Sequence, residues 1–138
     1  MGVCSAWRRC ARFLLGRWAS HQYANYGERD CCIGAISDAD EWLNTAPAGS
    51  CPPNAFGAYD MAGNVYEWVE DCFQASYTDA PSDGSPYLNG DGERRRIRGG
   101  AWYSDSGRVH PSCRACQTLS RRDCVIGFRV GRYMLYSD

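Results

Sequence analysis

The sequence predicts an α+β domain of low regular structure, with a small twisted antiparallel sheet and long loops. Three observations lead there. Of the 138 residues 15 are Gly, and aromatics reach 13%, a mixture suited to irregular segments pinned by Trp and Tyr. Extended apolar runs are scarce, so little helix is expected. Short segments with strand alternation recur at Val65–Val69, Arg96–Trp102 and Val125–Arg132, separated by stretches rich in Gly, Asn, Asp and Pro.

The elements follow in chain order. Residues 1–19 read as a short helical N-terminal segment: Trp7, Cys10, Ala11, Leu14 and Leu15 fall at helical spacing and Gly16 ends the run. The domain proper spans 20–138. Residues 21–58 are expected to be mostly loop, with Cys51-Pro52-Pro53-Asn54 a stiff extended entry into a turn. Val65–Val69 alternates as a strand. Residues 73–95 are again expected to be loop, since Asp-Gly pairs stand at 83–84 and 91–92. Arg96–Trp102 reads as a strand with a glycine bulge or a close backbone approach at Gly99-Gly100. Residues 103–124 are expected to be irregular. Val125–Arg132 is the clearest strand, with Ile126, Phe128 and Val130 inward and Gly127 and Arg129 outward.

The net charge of −1 hides an asymmetry: acids dominate from Glu28 to Glu93, and ten Arg against three acids follow from Arg94 onward. The arginines are spread along strand-like segments, so pairing with the acidic half is expected and nucleic-acid binding is not. No apolar stretch approaches the roughly 18 residues of a membrane span. The run Phe13-Leu14-Leu15 is too short for a secretory signal, which makes the cytoplasm the expected compartment and excludes a membrane partner. Nine cysteines are present, and the single Cys-x-x-Cys is Cys113-Arg114-Ala115-Cys116. With His21 and His110 the only histidines and neither at finger spacing, small buried thiols in a reducing compartment are expected in preference to zinc.

The most informative stretch is Asn54–Trp68, which sets Asp60 and Glu67 around the Gly63-Asn64 turn step. Two carboxylates plus backbone carbonyls at Gly63 and Val65 are donors suited to a hard cation, and turn-capping surface carboxylates fit the same spacing.

Four ordered blocks resemble the formylglycine-generating enzyme family, also called the sulfatase-modifying factor family: Thr45–Ser50, Pro52–Trp68, Arg98-Gly99-Gly100-Ala101-Trp102 and Ile126-Gly127-Phe128-Arg129-Val130. The resemblance covers roughly residues 20–132 and matches the C-terminal half of a family domain. It implies a C-type-lectin-like fold, and it marks Trp7-Arg8-Arg9-Cys10-Ala11-Arg12 as a degenerate trace of the helix that ends the upstream half. On that footing residues 1–19 are a remnant of an upstream half, and a truncated, inactive fragment is one reading of the chain.

The resemblance also implies two structural calcium sites. One is formed by Asp60, Gly63, Val65 and Glu67. The other is formed by Asn25, the Tyr26 carbonyl, Asp40 and the Trp42 carbonyl. Family enzymes oxidise a sulfatase cysteine to formylglycine with oxygen and copper held by two thiolates, the soft ligands Cu(I) prefers. The matching positions here are Ser104 and Val109, neither of which can form a thiolate. The expected function is therefore a calcium-stabilised, non-catalytic module that binds a protein or a small ligand. The alternative is a formylglycine-generating oxidoreductase that uses Cys113 and Cys116 as its copper pair. Variable proteins of diversity-generating retroelements share this fold and carry their ligand contacts between the Arg-Gly-Gly block and the final strand. By that resemblance the contacts here would be Tyr103, Ser104, Asp105, Ser106, Arg108 and His110.

Overall fold

A computed structural model describes residues 20–27, 42–110 and 112–131. The predicted helix at 1–19 lies outside the described residues. The strands are β1 (Tyr66–Phe73), β2 (Asp91–Arg98), β3 (Ala115–Thr118) and β4 (Ile126–Gly127), and they form one sheet in the order β3-β2-β1-β4. β2 is antiparallel to both of its neighbours, whereas β4 joins β1 in parallel through Tyr66 opposite Ile126 and Glu67 opposite Gly127. The sheet is thus antiparallel as expected, apart from this two-residue parallel pairing.

β1 and β2 are each eight residues long, more than their alternation suggested. β2 begins at Asp91, inside a segment expected to be loop. Its charged run Glu93-Arg94-Arg95-Arg96 lacks the apolar alternation that marks a strand, yet Arg94, Arg95, Arg96 and Ile97 each face a residue of β3. β3 itself falls in the span expected to be irregular. Register shifts after Trp68 and after Cys72 bend β1. β2 stops at Arg98 because Gly99 and Gly100 both adopt positive φ, 94° and 78°, which turns the chain out of the sheet.

One sheet face carries the core. Tyr66, Ile97, Ala101 and Val125 are buried together, with Trp68, Trp102, Tyr103, Ala115 and Ile126 packed around them. A second cluster joins Ala24, Tyr26 and Val109, backed by Ala62. The two clusters are linked by interlaced backbone. Asn64 N–H donates to the Asn25 carbonyl at 2.7 Å, and the Asn64 carbonyl accepts from Trp102 N–H at 2.8 Å. Gly63 N–H reaches the Gly99 carbonyl at 2.8 Å, and Gly27 N–H reaches the Ser104 carbonyl at 3.0 Å. Loops without helix or strand thereby satisfy their own polar groups.

Two expectations need correction. Phe128 and Val130 do not point inward: they are 76% and 86% exposed. β4 pairs only over Ile126–Gly127, so the residues beyond it have no neighbouring strand to set a buried face. The described cysteines are also not uniformly buried. Cys72 is buried, Cys51, Cys113 and Cys116 are half-buried, and Cys124 is exposed. Among the described residues no helix is long and apolar enough to cross a membrane.

Candidate functional site

Ser104 and Val109 are both 1% exposed. Residues 101–104 close a turn in which Ser104 N–H donates to the Ala101 carbonyl at 2.8 Å and Ala101 N–H donates back to Ser104 Oγ at 3.0 Å. The Ser104 hydroxyl also reaches the Tyr66 hydroxyl at 3.4 Å. Val109 packs in the second core cluster so closely under Gly100 that a Cβ there would meet Val109 Cγ1 at 2.7 Å. Both side chains are spent on holding the loop. Ser104 therefore lies beneath the surface formed by its neighbours in the expected ligand-contacting set.

Tyr103 packs on the first core cluster, and the other neighbours point outward. Asp105, Ser106, Arg108 and His110 are exposed and Tyr103 is half-buried. A turn closed by Arg108 N–H to the Asp105 carbonyl (2.9 Å) carries an Arg108–Asp105 ion pair at 3.3 Å. Arg108 is held above its ordinary pKa, first by its interaction with the Tyr66 hydroxyl and then by Asp105. His110 Nδ1 accepts from Ser112 N–H at 3.3 Å and bonds the Ser112 hydroxyl at 2.8 Å. This is an exposed, mixed polar and aromatic rim over a buried, bonded floor.

Cys113 and Cys116 lie at the entry to and within β3. Cys113 N–H donates to the His110 carbonyl at 2.8 Å, and its own carbonyl accepts from Arg98 Nη1 at 3.1 Å. Cys116 stands opposite Arg96. Among the described residues no group of three or more His, Cys, Asp or Glu is arranged to hold a metal ion.

The expected calcium ligands fall in two places. Asp60 has φ 51° and accepts Gly49 N–H at 2.6 Å through Oδ2. Gly63 and Asn64, at φ 75° and 63°, form the tight reversal that the Gly-Asn step suggested. Glu67 is clamped by Arg129, which the sequence placed simply as an outward strand residue. The Arg129 Nε lies 2.6 Å from Glu67 Oε2, and Nη2 bonds Oε1. The same guanidinium donates to the Tyr59 and Asp60 carbonyls, at 3.1 Å each. Glu67 above all, then Asp60, holds Arg129 above its ordinary pKa against the effect of burial. Glu67 and the Asp60 backbone thus meet at one cation, and the missed participant is Arg129. Its signal was the Gly-Phe-Arg block itself, seventy residues downstream of Tyr59.

At the other place, Asn25 is 2% exposed and Tyr26 is 5% exposed. Asn25 Nδ2 donates to the Asn44 carbonyl at 2.8 Å, which fixes the amide orientation. Its Oδ1 is then buried without a hydrogen-bond partner among the described residues. Tyr26 stacks on His21 with centroids 3.9 Å apart, and Trp42 is half-buried. Asp40 lies outside the described residues.

With this geometry in hand, comparisons with known proteins give a consistent picture. A model of the sulfatase-modifying factor enzyme 1-like domain matches residues 7–134. A formylglycine-generating enzyme of Streptomyces coelicolor is 34% identical over 93 residues, covering 65% of this chain and 30% of that protein. A serine/threonine-protein kinase, pkn1, of Chlamydia caviae is 43% identical over 91 residues, 64% of this chain and 15% of the kinase. The chain thus spans less than a third of these curated relatives. Among solved structures, PvdO of Pseudomonas aeruginosa superposes with TM-score 0.69 at 39% identity, covering 80% of this chain and 39% of that one. Treponema denticola variable protein 1 superposes with TM-score 0.58 at 28% identity, covering 78% and 34%. The C-type-lectin-like fold is shared with these structures.

Proposed function

This chain belongs to the sulfatase-modifying factor enzyme 1-like family, and from that premise we propose that it is a calcium-stabilised, non-catalytic member that binds a protein or a small ligand through the 103–110 loop. The observation that carries the reading is the burial of Ser104 and Val109 at the positions where family enzymes hold copper. Neither can become a thiolate, and both are committed to packing and hydrogen bonding within the loop. The exposed Asp105, Ser106, Arg108 and His110 above them form a contact surface of mixed polarity on a rigid base, the arrangement suited to recognition. The likeness to a variable protein supports the same use of this loop.

Two features support calcium. Asn25 Oδ1 is buried and unpartnered, which costs about 1–3 kcal/mol unless something accepts its lone pairs. A cation shared with the Tyr26 and Trp42 carbonyls and Asp40 would remove that cost. Asp60, Glu67 and the carbonyls of Gly63 and Val65 would offer calcium the oxygen donors it takes, with Glu67 exchanging its Arg129 partner for the ion. When bound, calcium would supply charge neutralisation and tie loops together, with no chemical step of its own. Calorimetric titration of calcium into the chelator-stripped chain tests this: saturable binding is expected, and an absence of heat in the micromolar to millimolar range would remove calcium from the account.

The second reading, an oxidoreductase with Cys113 and Cys116 as the copper pair, rests on two half-buried free thiols close downstream of the Ser104 position. It requires the pair to converge on one metal ion, and turnover is what separates it from the first reading.

A further inference from the structure

We propose that the outer face of β2 and β3 carries an oxyanion site of the phosphate or sulfate class, built on Arg96 and Arg114. Strand alternation puts Arg94, Arg96 and Arg98 on one face of β2, and register puts Cys116 and Thr118 of β3 beside them, opposite the face that carries Ile97 and the core. Phe73 at the end of β1 and the loop that follows it roof this face. Phe73 lies under two guanidinium groups, with Arg94 at 4.0 Å and Arg96 at 4.6 Å from its centroid. Tyr77 lies under Arg114 at 3.7 Å, and its hydroxyl accepts from Arg98 at 3.2 Å.

What the roof does not supply is negative charge. Arg96 is 6% exposed, and its one hydrogen bond among the described residues is to the Gln74 carbonyl. Its Nε is buried without a partner. Arg114 donates to the Ala75 carbonyl at 3.4 Å. Arg94 has its ion pair with Asp91, but among the described residues neither Arg96 nor Arg114 has a carboxylate. Arg94–Asp91 and Arg129–Glu67 follow the expected pairing of the basic half with the acidic half, whereas Arg96 and Arg114 do not. Ring faces and carbonyl dipoles offset a buried guanidinium incompletely, and a second cation alongside makes the cost larger. The two guanidinium groups donate to the adjacent carbonyls of Gln74 and Ala75, which sets the charges side by side; burial first, and then Arg114, holds Arg96 below its ordinary pKa.

A multiply charged oxyanion repairs this arrangement directly. Guanidinium groups present planar forks that match phosphate and sulfate oxygens, and the half-buried Arg114 is the edge at which such an ion can enter. A single carboxylate would leave one cation uncompensated.

The test is thermal melting of the full chain with added phosphate, sulfate, acetate or chloride at matched ionic strength. Phosphate and sulfate are expected to raise Tm saturably in the low millimolar range, with acetate and chloride flat. Arg114→Gln is expected to abolish the rise and Arg114→Lys to weaken it, whereas Arg122→Gln, an exposed arginine outside the cluster, should respond as the parent does. A rise that stays linear in salt and persists in Arg114→Gln is the general surface-exclusion effect of these ions and would overturn the proposal. An equal rise with acetate would overturn the phosphate–sulfate assignment.

Discussion

Gly63 and Asn25 approach so closely that a Cβ on Gly63 would lie 2.1 Å from the Asn25 carbonyl oxygen. The pair forms an isolated parallel bridge, and the next amide, Asn64 N–H, donates to that same carbonyl. This contact joins the strip at 24–27 to the Asp60–Glu67 turn, and so joins the two sets of expected calcium ligands.

Gly63→Ala combines backbone overlap with a φ of 75° and is expected to destabilise by more than about 3 kcal/mol. Gly57→Ala is the control: the same φ of 75°, but nothing within 4 Å of the new Cβ, so about 1 kcal/mol is expected. Urea unfolding of the two variants measures the difference, and similar losses would show that the Asn25 contact contributes little.

If calcium holds this junction, a chelator should lower Tm by roughly 5–10 °C. Asn25→Ala, Asp60→Ala and Glu67→Ala should each melt lower than the parent and lose part of the chelator response. Glu67→Ala also frees Arg129, so Arg129→Gln separates the roles: it removes the clamp on Glu67 while leaving every proposed ligand in place. An undiminished chelator response in Arg129→Gln, with a reduced one in Glu67→Ala, would locate the ion at the carboxylate.

The 103–110 loop should divide into scaffold and surface. Ser104→Ala leaves the buried Ala101 N–H without its acceptor and is expected to cost about 1–3 kcal/mol. His110→Ala loses exposed contacts and should stay within about 0.5 kcal/mol of the parent, and Arg108→Ala, which also loses the Tyr66 hydroxyl, within about 1 kcal/mol. Equal losses at all three would argue that the outer residues are structural as well.

Acid should destabilise through particular carboxylates. Asp91 lies below its ordinary value of 3.8, chiefly through its bond from Arg94, and Asp123 likewise through Arg121. A lowered folded pKa contributes stability that is present above 3.8 and is lost as pH falls through the folded value. Tm should therefore fall below about pH 4. Asp91→Asn should lose stability at neutral pH and show a shallower acid limb, and 1 M salt should narrow the difference between the two proteins.

The sequence made the junctions legible where single residues dictate geometry. Gly63-Asn64 and Gly99-Gly100 were readable because positive φ selects Gly and Asn, and Tyr66 to Trp68 because alternation marks a strand. The first part of β2, before Arg96, was hidden because Glu93 to Arg96 is charged on both faces. The outer face is filled by guanidinium groups stacked on Phe73, a contact that no local pattern encodes. Phe128 and Val130 alternate as core residues should, but facing is decided by a neighbouring strand, and β4 has one only as far as Gly127. Arg129 was missed because its partners at Tyr59, Asp60 and Glu67 are more than sixty residues away in sequence. The unpartnered Asn25 Oδ1 likewise exists only once Asn44 has claimed the other end of the amide.

The central claim is that this chain keeps the family's scaffold without its oxidation chemistry. The most direct measurement is mass spectrometry of a sulfatase-type Cys-x-Pro-x-Arg peptide incubated with oxygen and the copper(I)-loaded chain. The peptide cysteine is expected to remain unconverted at any copper loading. Aldehyde formation that disappears in Cys113→Ser would contradict it and assign the chain to the oxidoreductases.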